Sequence, residues 1–285
     1  MSKSKSAPPP TPPLKGRGVL AQDKSLGQHW LIDELVLDNI ALSLSEVNCN
    51  SILEIGPGKG ALTSYLLKKI DEGHLFVVEF DERMSKHLKK QYLGNKNITV
   101  INQDYLKFSE QDYFEGDYVI IANLPYNISS PIFNKLITTK LKPVAAALLV
   151  QKEVASRLSS AAGERNSSPL SIELNNYYQT ELGIIVPKEA FDPPPKVTSQ
   201  IIKLKLREET VFGENLAGVM KLVRLGFKMR RKKLINNLAS LNISNQNLSL
   251  ILVELDIETT IRAEQMTNKQ WLELYLYFKD RGVLK

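Results

Sequence analysis

Short apolar runs alternate with amphipathic stretches over roughly the first two thirds of the chain, and helical patterns alone fill the rest. Ser51 to Gly60 reads as a buried strand, a glycine-rich turn and the start of a helix from Ala61 to about Ile70. Further strands are predicted at Leu75 to Val78, Ile98 to Asn102, Tyr118 to Ala122 and Val144 to Val150. Leu182 to Val186 and Val197 to Leu206 read as two more, joined through Phe191-Asp192-Pro193-Pro194-Pro195-Lys196. Ahead of the first strand, Leu35, Val36, Ile40 and Leu44 mark a helix, and Ala155 to Ala162 leads into the polar loop Gly163 to Pro169. After Arg207 the pattern turns helical, with Val219, Leu222, Val223, Phe227, Leu234 and Leu238 as an apolar stripe. Leu248 to Leu255 and Thr267 to Phe278 form a last pair of helices. Strands alternating with helices predict an open α/β sheet.

The candidate chemistry gathers where predicted strands end. Gly56, Gly58 and Gly60 let backbone approach a ligand closely, and the helix that follows points free N–H groups at it. This turn suits a dinucleotide nearly as well as adenosyl-methionine. Glu54 either ties the turn down by hydrogen bonds or faces solvent. About twenty residues past the glycines, Glu79 is positioned to accept from ribose hydroxyls. Asp104, after the third strand, is an acceptor for an adenine amino group. Repeated carboxylates on the ligand-binding edge favour a nucleoside cofactor.

The fourth strand delivers Asn123-Leu124-Pro125-Tyr126 to the same edge. An exocyclic amino group on a nucleobase is a poor nucleophile, because its lone pair is delocalised into the ring. Acceptors for both of its N–H bonds draw the nitrogen towards a geometry that frees the lone pair. The Asn123 oxygen and a backbone carbonyl made available by the Pro125 turn are such acceptors, and Tyr126 offers a face on which a flipped base can stack. Phe191, bordered by three prolines, reads either as an aromatic lid near that base or as a plug on the sheet edge.

Charge adds a partner class. Lys and Arg number 37 against 31 Asp and Glu, for a net +6. From Asn215 to Val253 there is no acid, while Lys221, Arg224, Lys228, Arg231 and Lys232 recur at three-to-four spacing, flanked by Arg230 and Lys233. The spacing predicts one basic helical face able to track phosphates. Met1 to Gly18, with five prolines and four basic residues, reads as a disordered arm. Cys49 is the sole cysteine, so no intrachain disulfide forms and a reducing, cytoplasmic setting fits. His29, His74 and His87 have no ligand spacing, which argues against a catalytic metal. Val144 to Val150 is too short to span a bilayer.

Six stretches in order resemble the KsgA-type family of small-subunit ribosomal RNA adenine N6,N6-dimethyltransferases. They are Ser25 to Leu31, Leu53 to Gly60, Asn123 to Ser129, Gln151 to Ala155, Phe191 to Val197, and Phe227 to Leu234. The resemblance implies a Rossmann-like seven-stranded adenosyl-methionine-dependent methyltransferase domain over 20–206. A small all-helical, rRNA-binding domain over 207–285 would follow, with the arm at 1–19. It implies cofactor contacts at Gln28, His29, Leu31, Gly56, Gly58, Gly60, Glu79, Asp104 and Asn123. A catalytic set of Asn123, Leu124, Tyr126 and Phe191 comes with it. The basic residues Lys221, Arg224, Lys228, Arg230, Arg231 and Lys232 would meet RNA. The reaction implied is dimethylation of two adjacent adenosines near the 3′ end of 16S rRNA, on a pre-assembled small subunit, by a monomer that uses no metal.

Trp30 stands where that family more often has Phe, His29 where Asn is frequent, and Ser167-Ser168-Pro169 where Tyr-Gly is commoner. Three other readings share parts of the pattern: a large-subunit rRNA methyltransferase conferring macrolide resistance, an assembly checkpoint or organellar transcription factor with dispensable catalysis, and a dinucleotide oxidoreductase. The long basic helical tail, with Arg262-Ala263-Glu264-Gln265, resembles the small-subunit group.

Overall fold

Apolar side chains that alternate sides along each strand divide the core into two layers, one on each face of a single sheet. In the computed structural model, which describes residues 29–70 and 72–284, β1 (Trp30–Leu31) and α1 (Glu34–Ala41) precede the repeating strand–helix units. These run β2 (Ser51–Ile55), α2 (Ala61–Lys69), β3 (His74–Glu79), α3 (Glu82–Gln91), β4 (Ile98–Asn102), β5 (Val119–Asn123), α4 (Ser129–Thr138), β6 (Ala145–Gln151) and α5 (Lys152–Ser159). Next come α6 (Pro169–Tyr177), β7 (Tyr178–Val186), β8 (Phe191–Asp192) and β9 (Ser199–Leu206). The chain closes with α7 (Leu216–Gly226), α8 (Leu234–Leu238), α9 (Asn245–Glu254) and α10 (Asn268–Asp280).

Seven strands form one sheet in the order β4-β3-β2-β5-β6-β9-β7, and β9 alone runs against the other six. β5 sends Val119 and Ile121 to one face, where Ile40, Leu66 and Leu88 of α1, α2 and α3 cover them. Ile120 and Ala122 go to the other face, under Phe133, Leu158 and Leu174 of α4, α5 and α6. Burial on both sides is why these parallel strands read as nearly unbroken apolar runs.

The structure redraws two helical patterns. In α1 the buried positions are Leu37, Ile40 and Ala41, with Leu44 just beyond, and Leu35 is 78% exposed. Asp33 sets this phase, since its carboxylate accepts from the Val36 N–H and starts the helix there. The basic segment is not one helix either. α7 stops at Gly226, and Asn237 folds the chain back, donating to the Gly226 and Met229 carbonyls and accepting from the Met229 N–H.

A third core holds the helices after Phe212 together around Trp271, Leu234 and Phe278, and Ile172 of α6 joins it. Ser167, in the loop that departs from the family pattern, donates to the Glu264 carbonyl and ties α6 to this core. Ser168 and Ser171 form a capping box that starts α6.

Glu54 resolves to one of its two readings. Its carboxyl is buried within β2 and accepts from the Thr63 hydroxyl of α2 at 2.6 Å, pinning the helix that follows the glycine turn. Burial above all pushes its pKa up to about 8, with Glu79 adding repulsion and the Thr63 bond opposing.

Two outcomes follow for stability. Because Glu54 holds its proton to a higher pH folded than its ordinary 4.5, the folded state binds more protons and stability falls as pH rises from about 4.5 to 8. Glu54→Gln keeps an acceptor for Thr63 and is expected to flatten that decline in urea unfolding at pH 5 and pH 8. A Cβ at Gly226 would lie 2.5 Å from the Trp271 ring. Gly226→Ala is therefore expected to lose about 1–3 kcal/mol by overpacking, more than the up to ~1 kcal/mol of helix propensity gained, read as a lower urea midpoint at unchanged m.

Candidate active site

The carboxyl ends of β2, β3, β4 and β5 open into one cleft, lined among others by Gly56, Gly58, Glu79, Asp104, Asn123 and Tyr126. The turn after β2 takes left-handed backbone at Gly56, Gly58 and Gly60, with φ of +64°, +56° and +81°. At Gly60 the need is doubled, because a Cβ there would meet Leu88 at 2.6 Å.

Glu79 ends β3 nearly buried, with each carboxylate oxygen engaged. Oε2 accepts from the Gly58 N–H at 3.0 Å and Oε1 from the Asp81 N–H at 2.7 Å. Burial raises its pKa, and those two bonds oppose the rise. Asn102 of β4 donates to the Glu79 carbonyl at 2.9 Å, holding neighbouring strand ends level. Asp104 accepts from the Leu106 N–H at 2.9 Å, which starts the turn over Tyr105–Lys107 and keeps its carboxylate at the cleft.

Asn123 is half-buried at the end of β5. Leu124 donates its N–H to the Leu149 carbonyl at 3.1 Å, and its side chain is buried. The Pro125 carbonyl accepts from both the Ile128 N–H and the Ser129 hydroxyl. The Tyr126 hydroxyl bonds to Ser199 Oγ at 2.7 Å, and its ring lies 5.9 Å from that of His29 at an interplanar angle of 27°. His29 Nδ1 is 2.8 Å from the Pro193 carbonyl, so it is the protonated nitrogen. Leu31 is buried and pairs with Phe191 in the two-stranded ribbon of β1 and β8. Gln28 lies outside the described residues.

Phe191 departs from the lid reading. It is 2% exposed and packs with Leu31 and Ile40, so it plugs the sheet edge while lining the wall of the cleft. The basic stripe also breaks up. Arg224 pairs with Glu173 and Arg230 with Glu264, both at 2.8 Å, so acids from distant segments neutralise two of the six. Lys221, Lys228, Arg231 and Lys232 stay exposed, with no ion pair among the described residues.

Several residues of the site escaped sequence reasoning. Ser199 anchors Tyr126 from 73 positions away, a distance no local pattern bridges. Lys135 of α4 reaches the Tyr105 and Phe108 carbonyls and the buried Glu110, bracing the Asp104 loop against the helix that follows Tyr126. Lys59 stacks on the Trp30 ring. Its place between two glycines was the only available signal.

Among the described residues no three His, Cys, Asp or Glu side chains gather as metal ligands, and no helix is long and apolar enough to cross a membrane.

Comparison with known proteins places this cleft in a family. A ribosomal RNA small subunit methyltransferase A from Dehalococcoides mccartyi is 36% identical over 264 residues, covering 91% of this chain and 89% of that protein. Another of that name from Trichormus variabilis is 37% identical over 258 residues, covering 87% and 94%. The crystal structure of a dimethyladenosine transferase from Plasmodium falciparum superposes with a TM-score of 0.74 at 29% identity, covering 90% of this chain and 99% of that one. The model of the family described as ribosomal RNA adenine dimethylase matches residues 19–280. On that match and these identities, the chain belongs to the ribosomal RNA adenine dimethylase family.

Proposed function

We propose that this protein transfers methyl groups from S-adenosyl-methionine to the N6 amino groups of two adjacent adenosines near the 3′ end of 16S rRNA. In this reading it acts as a cytoplasmic monomer on the small ribosomal subunit. The observation that carries the reading is the convergence of the Gly56–Gly60 turn, Glu79, Asp104 and the Asn123–Tyr126 motif on one cleft. The small-subunit substrate rests on the relatives named above.

The cleft fits the cofactor by its donor set. Gly56 and Gly58 line the cleft with no side chain in the way, whereas Gly60 turns towards Leu88; Glu79 suits ribose hydroxyls, and Asp104 suits an adenine amino group. When bound, the cofactor supplies a methyl group on a cationic sulfur, an already activated donor. The chain's own contribution is then position. The Asn123 side-chain oxygen and the Leu124 carbonyl accept the two N–H bonds of the target amine and turn its lone pair towards the methyl group. Tyr126, fixed by Ser199, offers the stacking face. Phe191 backs the cleft wall instead of closing over it.

RNA contact falls in this reading to the helical part over 207–285. Lys221, Lys228, Arg231 and Lys232 carry it, because Arg224 and Arg230 already have carboxylate partners.

The direct test is transfer of labelled methyl onto unmethylated small subunits, with large-subunit RNA alongside and the nucleosides identified by mass spectrometry. Dimethyladenosine in the small subunit alone is expected; the same product in large-subunit RNA alone would overturn the substrate. Asn123→Ala is expected to lower transfer about 100-fold or more with subunit binding nearly unchanged, and a matching loss of binding would count against its role. Arg231→Glu with Lys232→Glu is expected to reduce the slope of log affinity against log salt by roughly 1.5. An unchanged slope would mean that these two cations face only solvent.

A further inference from the structure

Lys135 directs its whole donor capacity at a loop far from it in the chain. An ammonium has three N–H donors. Those of Lys135 meet the Tyr105 carbonyl, the Phe108 carbonyl and, at 3.3 Å, the Glu110 carboxylate. The two carbonyls bracket the turn that Asp104 starts, and Asp104, Tyr105 and Leu106 line the cleft. Only 12% of the Lys135 side chain is exposed, and the Tyr105 ring centroid lies 4.2 Å from the ammonium. Burial lowers the Lys135 pKa, while Glu110 above all, and Asp104 with it, oppose the fall. Glu110 also accepts from the Thr139 hydroxyl at 2.9 Å, just past the end of α4. The last turns of α4 therefore grip the Asp104 loop at two points.

The first turn of the same helix belongs to the target side. α4 begins at Ser129, directly after the Tyr126–Ile128 turn, and the Ser129 hydroxyl donates to the Pro125 carbonyl. Ile132, Phe133, Leu136 and Ile137 bury its inner face against the sheet, so the helix acts as a fixed rod. One end of that rod follows the Asn123–Tyr126 motif, and the other holds the adenine-side loop. A misplacement of about 1 Å between reacting groups can cost roughly 100-fold in rate. We propose that Lys135 is a positioning residue for methyl transfer, setting the Asp104 carboxylate, and with it the cofactor's adenine, at a fixed distance from the amine acceptor at Asn123. This rests on the cofactor and target reading given above and extends it to a residue behind the cleft wall.

The test is calorimetric titration of the full chain with two ligands, beside methyl transfer at saturating cofactor. One ligand is S-adenosyl-homocysteine, and the other is its analogue in which purine, lacking the amino group, replaces adenine. Lys135→Met is combined with Glu110→Gln, because the single change would strand a buried carboxylate. The unsubstituted chain is expected to prefer S-adenosyl-homocysteine about tenfold, the worth of one hydrogen bond to a charged group. In the double variant that preference is expected to shrink to within about twofold and the transfer rate to fall about tenfold. Asp104→Ala is expected to lower the preference equally, and the triple variant no further, because Lys135 acts through Asp104. An unchanged preference in the double variant, even with both affinities reduced, would overturn the inference; Lys135 would then serve stability alone, which a lower urea midpoint reads. Additive losses of preference in the triple variant would overturn it as well. If the unsubstituted chain bound neither ligand, or bound both alike, the reading of Asp104 would itself fail and this inference with it.

Discussion

The reversal of strand order between β2 and β5 is the constraint on which the site depends. β3 and β4 extend the sheet one way from β2, while β6 extends it the other way from β5. Loops leaving two such strands turn towards opposite faces, and a crevice opens between them at the carboxyl edge. Here those loops are the glycine turn and the Asn123–Tyr126 motif, and a Cβ at Gly56 would come within 3.7 Å of Pro125. Register fixes their heights: Leu53 stands opposite Ile120, and Glu79 opposite Asn102. A slip of one residue would turn Val119 and Ile120 to the wrong faces, and two packed layers oppose it at once. The positions of four chemical groups from four strands are thus set mainly by apolar packing beneath them.

That dependence explains what was legible in the sequence. A parallel strand buried on both faces is a nearly continuous apolar run, so β2, β3, β5 and β6 stand out, β4 shows as a half-buried run at the sheet's edge, and the end of each run falls within two residues of the ligand edge. Glu79, Asp104 and Asn123 were readable for that reason. The ribbon of β1 with β8 was not, because two residues a side carry no period, and its pairing alone turns Phe191 inward against Leu31. Leu35 misled because several phases of an eight-residue helix look amphipathic until a cap chooses one, and Asp33 makes that choice. Ser199, Lys135 and Glu110 act through tertiary contacts alone, and no spacing along the chain announces them.

The basic segment shows the same limit for charge. Three-to-four spacing promised a single helical face, but Asn237 ends α7 at Gly226 by bonding the backbone on both sides of the turn. The cations after it leave the helix and fan outward. Arg230 folds back to Glu264 and to the Arg165 carbonyl, and Ser167 donates to the Glu264 carbonyl, so this arginine helps to join the loop before α6 to the late helices. A run free of acids in sequence is not free of them in space. The charge left for a polyanion is the part that the fold does not spend on itself.

Glu54 and Glu79 carry the argument furthest into the chemistry. They are close enough to repel, and both are buried, so the cleft is unfavourable ground for two negative charges. Glu79 has two backbone N–H donors, whereas Glu54 has one hydroxyl. Hydrogen bonds to a charged form favour that form, so the two backbone donors oppose the rise that burial causes at Glu79, while the single hydroxyl leaves the Glu54 pKa at about 8. A carboxylate offers about four lone-pair sites. With two of them held by Gly58 and Asp81, the carboxylate is fixed in orientation, and the proposed ribose contact would use the others. The same Gly58 N–H that fixes Glu79 also fixes the turn beside Trp30.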